Sequence, residues 1–307
     1  MKTICICLFN LMIFPVIVTA QQIDTTVKVE GTYITLSEVI INQKLDVASF
    51  IARVKADTTF YKAFKSLRIV GYTSINDIRM LGKRGKLQAS LNGKSKQIVE
   101  NGCRKMEVIS QKTTGNFYDN NGDYNYYTAS MYAQLFFTNG TVCGEHNIVG
   151  NKTLNSDGLS GIEKHKAQLK MLFFNPGRRI KGLPLISGKT AIFDRAMIGN
   201  YNMRIDFDDN LNAYIFRITV KPGRESNVVI KEMTTWFDQK NFEVLARNYS
   251  LKYDASVYSF DVQMKVRMTR FNGLLIPNLI SYNGSWKIMF KKKETGIFTA
   301  TLSDFNR

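Results

Sequence analysis

The most regular pattern in the chain runs from Tyr258 to Met268. Tyr258, Phe260, Val262, Met264, Val266 and Met268 alternate with Ser259, Asp261, Gln263, Lys265 and Arg267. Apolar side chains at every second position put one face of a strand in a core and the other in water. The same period holds for Tyr214, Phe216, Ile218 and Val220 against Ile215, Arg217 and Thr219. Between these stretches, Val228–Phe237 and Phe242–Tyr253 read as strands flanking a turn at Asp238–Lys240. Phe271-Asn272-Gly273 turns the chain into Leu274–Tyr282, and Asn283-Gly284 predicts a second turn into Ser285–Lys292. Thr295–Phe305 is the last strand. Strands joined by such short links are antiparallel neighbours.

The N-terminal half begins differently. Thr35-Leu36-Ser37-Glu38 fits a helix capping box, and Val47, Phe50, Ile51 and Val54 recur behind it at helical spacing. A second short helix places Phe60, Phe64 and Leu67 on one face. It leads into a strand at Ile69-Val70-Gly71-Tyr72. Asn92-Gly93 then predicts a two-residue hairpin between Lys86–Leu91 and Lys94–Val99, followed by a strand over Arg104–Gln111. Tyr124–Phe137 fits either strand or helix. Ile162–Phe174 reads as a helix stopped by Asn175-Pro176-Gly177. A long antiparallel meander twists and curls, and its apolar face must be covered. The expected fold is mainly β with helices (α+β): a curved meander or half-open β-barrel with helices over its apolar face.

The first twenty residues stand apart. Lys2 precedes an apolar run from Ile4 to Val18, and Val18-Thr19-Ala20 supplies small residues before Gln21-Gln22. This is the pattern of a cleaved secretory signal peptide, and the run is short for a membrane span. Cleavage near Ala20 leaves 287 residues. No later stretch is apolar enough for a transmembrane segment, and no cysteine sits at the cleavage point for lipid attachment. The expected address is periplasmic or secreted. With no Gly/Ser-rich linker, residues 21–307 are expected to form a single β-rich domain with a helical and irregular insertion at about 115–200.

Export changes the meaning of the cysteines and the charge. Cys5 and Cys7 leave with the leader, so Cys103 and Cys143 remain. A disulfide between them would close a loop of 39 intervening residues, worth about 4 kcal/mol in the chain-entropy model. A free buried pair is the alternative; neither residue sits in a redox C-x-x-C pair. The net charge is +17, or +16 without Lys2. Residues 65–112 carry half of it, with eleven basic and three acidic residues. In an exported protein this points away from nucleic acid and towards anionic lipid headgroups or an anionic envelope surface. A solvated basic surface with no specific partner is the plainer alternative.

Catalytic chemistry finds little footing. The two histidines, His146 and His165, lie near Glu145 and Glu163, but spacing supplies no third metal ligand. No G-x-S-x-G is present. Asp119–Asn125 places oxygens at alternate positions but lacks the sixth-position Gly and twelfth-position acid of a calcium loop, so it reads as a polar turn. No metal, cofactor or catalytic residue is assigned.

The segments Thr234-Thr235-Trp236-Phe237-Asp238 and Phe242–Ala246-Arg247 resemble the Trp-bearing strand, turn and Arg-bearing strand of the periplasmic lipoprotein-carrier superfamily, the LolA/LolB-like fold. Leu275-Ile276-Pro277 and Tyr282-Asn283-Gly284-Ser285-Trp286 fit the same meander. The resemblance covers about residues 36–110 and 200–305. The blocks Glu145–Gly150 and Phe174–Gly177 also look like those of exported bacterial proteins from which no activity carries over. The carrier resemblance implies an acyl-chain cavity between sheet and helices. Phe216, Trp236, Tyr258, Phe260, Val262, Met264, Val266 and Trp286 would then be its candidate lining, with filled core as the plainer reading of the same face. The resulting expectation is an exported, non-enzymatic binding or carrier protein for a lipid, acyl chain or lipoprotein. An envelope structural or protein-interaction module is the alternative, and a glycan or lipid hydrolase ranks last.

Overall fold

The computed structural model describes residues 24–149, 171–180, 186, 188–255, 258–288 and 291–307. The expected signal peptide, its cleavage point, His165 and most of the helix expected over 162–174 lie outside the described residues. The helix's last turn, at 171–174, is present.

Among the described residues, thirteen strands form one large, curved, unclosed sheet. The C-terminal meander matches the alternation in the sequence. It comprises β7 (Tyr201–Asp208), β8 (Ala213–Val220), β9 (Ile230–Asp238), β10 (Val244–Asp254), β11 (Tyr258–Phe271), β12 (Leu274–Ile288) and β13 (Glu294–Asn306). β13 pairs with β3 (Gly71–Leu81), which continues through β4 (Leu87–Glu100) and β5 (Cys103–Thr114) to the short β6 (Val142–Cys143). At the other edge, the hairpin of β1 (Thr25–Val29) and β2 (Thr32–Leu36) joins β7 in the sheet's parallel pairing. Along β11, Phe260, Val262, Met264 and Val266 are buried while Asp261, Gln263, Lys265 and Arg267 are exposed.

Two expected hairpins are not turns. Asn92 and Gly93 lie inside β4, paired with Asp77 and Asn76 on one side and Lys112 and Gln111 on the other. Asn283 and Gly284 lie inside β12, between β11 and β13. Pairing on both sides satisfies the backbone continuously and overrides the local turn preference. Gly284 is there for another reason. A Cβ on it would stand 2.8 Å from the Tyr282 hydroxyl and 2.9 Å from the Asp261 carbonyl oxygen. The chain turns instead at Asn101-Gly102, Asn272-Gly273 and Glu30-Gly31, each with two successive positive φ angles. That geometry matches the twist of flanking strands. The Glu30-Gly31 hairpin lies outside the elements expected from the sequence, although Val27 and Val29 alternate before it.

Helices cover one face of the sheet. The expected capping box is displaced: Thr35 lies in β2, and the first helix, α1 (Glu38–Asn42), starts after Ser37 without a side-chain cap. α2 (Val47–Ala56) starts afresh at Asp46, whose carboxylate accepts from the Ser49 amide at 3.1 Å. α3 (Thr59–Ser66) follows, and the ambiguous aromatic segment is a helix, α4 (Tyr127–Phe136). Asp119 takes the Asn121 and Asp123 amides on its carboxylate, making the polar turn that the sequence suggests.

Candidate functional site

The covered face is held at three places. Under α2, Phe50 meets Tyr214, Phe216, Phe237 and Phe242 edge-on, with ring centroids 5.2–6.0 Å apart. Between α2 and α3, Asp57 accepts from the Thr59 amide at 2.9 Å and faces the Arg247 guanidinium of β10 at 3.4 Å. Both side chains are buried. Arg247 also donates to the Thr235 hydroxyl at 2.9 Å and lies over the Phe60 ring at 4.4 Å. Burial pulls the guanidinium pKa down, and Asp57 opposes that pull. The pair therefore ties the α2–α3 corner to the sheet.

α4 is anchored by its N-terminus. The Glu294 carboxylate, at the start of β13, accepts from the Tyr127 amide at 3.0 Å and the Thr128 amide at 2.7 Å. A carboxylate there satisfies open amides and complements the helix dipole. Below α4, Tyr132 donates to the buried Asn76 at 3.0 Å. Its ring meets Phe298 at 4.9 Å, and Phe298 stacks on Tyr282 at 4.7 Å. Trp286 donates to the Tyr282 hydroxyl at 2.7 Å and packs on Phe260 at 4.9 Å. Burial raises the pKa of Tyr132 and Tyr282. A void of about 20 Å³ remains among Met131, Tyr132, Phe173, Met264, Ile280 and Phe298. That is room for about one water, in apolar surroundings.

A second void of about 30 Å³ lies on the far side of Leu135 and Phe136, which line both. Its floor is apolar, from Phe64, Leu67 and Phe174, but its mouth is cationic, from Lys65, Arg68 and Arg104. Gln97, 1% exposed, is fixed by donating to the Leu67 and Val70 carbonyls at 2.7 and 2.8 Å. Arg104 in turn donates to Gln97 at 3.3 Å and to the Thr138 hydroxyl. Glu145 bridges the two guanidiniums, accepting from Arg68 at 3.0 Å and from Arg104. Burial lowers the Lys65 pKa, with Arg68 adding to the fall and Glu145 opposing it. Burial pushes Tyr72, on the void's wall, up to about 12, against the pull of Arg104 and Arg68.

Glu145 is carried on a strap fixed at both ends of its described course. Cys103 and Cys143 form a disulfide, opposite one another where β5 meets β6. Beyond Glu145, Asn147 donates to Ser66 at 3.3 Å, and the Ile148 carbonyl accepts from Lys65 at 2.5 Å.

The eight residues named from the sequence do not converge. Phe216, Phe260, Val262, Met264, Val266 and Trp286 are buried. Tyr258 is half-buried and stacks on Phe260. Of the eight, only Met264 lines either void. Phe216 lies beneath α2, away from α4. Trp236 faces the opposite side of the sheet, since its neighbours Thr235 and Phe237 turn to Arg247 and Phe50. The cationic mouth was visible in the sequence only as a basic stretch, and Glu145 only as a weak metal ligand. The signal that joins them is the cysteine pairing, which brings Arg104 and Glu145 together.

A larger open groove of about 470 Å³ lies at one rim, lined by Lys189, Lys231, Lys252 and Tyr253. Its lysines are engaged. Lys189 donates to the Ser226 carbonyl at 3.1 Å, Lys231 to that of Val228 at 2.6 Å, and Lys252 pairs with Asp261 at 3.1 Å. Among the described residues, no group of three or more His, Cys, Asp or Glu side chains could hold a metal ion, and no helix is long and apolar enough to cross a membrane.

No family model and no curated protein matches the chain. Solved structures show a remote likeness. One is a DUF1329 family protein from Desulfovibrio piger, with TM-score 0.25 and 11% identity, covering 83% of this chain and 92% of that one. Another is a LolA superfamily protein from Nitrosomonas europaea, with TM-score 0.23 and 12% identity over 81% and 91%. A third is a domain described as an outer membrane lipoprotein-sorting protein, from Vibrio parahaemolyticus, with TM-score 0.24 and 9% identity over 82% and 92%. Likeness at these scores carries no argument about function.

Proposed function

We propose that the chain is an exported, non-enzymatic binding protein of the periplasm that holds a lipid-like acyl chain between its curved sheet and its helices. The observation that carries this reading is the pair of adjoining voids beneath α3 and α4, one apolar and one apolar with a cationic mouth. Met131, Met264 and the surrounding rings suit a site that opens by side-chain rearrangement. Each void is smaller than an acyl chain, so the ligand would enter by displacing packed side chains. The leader pattern of residues 1–20 and the Cys103–Cys143 disulfide favour an oxidising compartment. Native mass spectrometry of protein purified from its own envelope should show a co-purified lipid. A clean apo mass, with no uptake of a fluorescent fatty acid, would overturn the reading.

A second reading, an envelope protein-interaction module, is favoured by β5. It pairs with β6 only at Cys103 and Arg104, and beyond them Val108 and Ile109 are 66% and 54% exposed. An open edge with apolar side chains can accept a strand from another chain. Crosslinking from β5 should then recover a partner that V108K fails to retain.

A further inference from the structure

Among the described residues, the cationic mouth holds three basic side chains, and Glu145 is the carboxylate paired with two of them. Lys65 donates to the strap's Ile148 carbonyl, while Glu145, reaching from the strap, pairs with Arg68 and Arg104. Its two oxygens occupy the fork that a carboxylate or phosphate would take between two guanidiniums. The floor beneath is apolar, and Leu135 and Phe136 line both it and the apolar void under α4. Phe136 touches Tyr132 and Phe174, with centroids 4.8 and 6.0 Å away, so it stands between ring clusters on both sides. A turn of that ring would join a charged entrance to an apolar interior.

We propose that Lys65, Arg68 and Arg104 form the headgroup site of a single-chain anionic amphiphile, and that Glu145 is an internal stand-in displaced when it binds. The carboxylate or phosphate sits between Arg68 and Arg104, and the chain passes Phe136 towards Met264 and Phe298. This rests on the acyl-chain reading above and adds the headgroup class and the displaced residue.

The test uses cis-parinaric acid, a fluorescent fatty acid, and its uncharged methyl ester, titrated into the full exported protein and its E145Q and R68A variants. The wild type should bind the acid about tenfold more tightly than the ester, the worth of one charge-assisted bond. E145Q, which removes the competing charge while keeping the side chain's shape, should tighten the acid severalfold and leave the ester unchanged. R68A should remove the preference for the acid. Arg68 is exposed enough for that variant to fold, which its unfolding curve checks. Competition with lysophosphatidic acid against palmitate separates a phosphate from a carboxylate headgroup; displacement by either supports the site. Equal binding of acid and ester, unmoved by both substitutions, overturns this proposal while the acyl-chain reading stands. No binding of either probe by any variant overturns both.

Discussion

The two voids beside Leu135 and Phe136 are close in size and opposite in construction. The one under α4 is walled by packed rings, Tyr132 tilted against Phe298 and Phe298 stacked on Tyr282. The other is edged by two arginines bridged by a carboxylate on a strap. Ring packing loses contact outright when one member is removed. Arg68, 44% exposed, loses little when its pair is broken, because water replaces the partner. One side of the septum should therefore govern stability and the other should govern binding.

Four measurements sharpen or break that division. The largest effect is expected from F298A, which removes the ring shared by Tyr132 and Tyr282 and should cost about 4 kcal/mol in urea unfolding. A loss below about 1 kcal/mol would mean that α4 is not packed on β13 as described. D57N should follow, at about 3 kcal/mol, because it leaves the Arg247 charge buried without its counter-charge. Alkaline unfolding comes next. Tyr72 has its pKa raised by burial from 10.0 to about 12, and Tyr132, Tyr249 and Tyr282 are raised by the same cause. Between those pH values the unfolded chain has released protons that the native chain retains. The Tyr72 contribution to stability is thus intact below pH 10 and falls steadily as pH rises towards 12. A flat stability profile across that window would argue against these burials. The smallest effect should come from R68A, below about 1 kcal/mol, since the side chain is 44% exposed. A larger loss would show that the mouth is structural after all.

The legible parts of the sequence were those with an unambiguous period. The alternation in β11 marked its buried face, because that face meets helices and the other meets water; in β8 only Phe216 and Ile218 of the expected face are buried. Asn92-Gly93 and Asn283-Gly284 misled because a dipeptide carries the signature of a turn but no record of the strands beside it. Trp236 misled because β9 is buried on more than one face: Thr234 and Thr235 are both shielded, so parity was hidden by composition. The cationic mouth draws Lys65, Gln97, Arg104 and Glu145 from α3, β4, β5 and the strap. No local pattern joins residues so far apart.

The position of β13 has a consequence for how the molecule holds together. It lies between β12 and β3, so among the described residues it joins the six preceding meander strands to the strands that begin with β3. Without β13, Phe298 would be missing from beneath α4, and Glu294 from the α4 amides. The strands β3–β5 and the strands β7–β12 would each end on an unpaired edge. Its two rows of hydrogen bonds are thus the fastening that makes two parts of the molecule one continuous sheet.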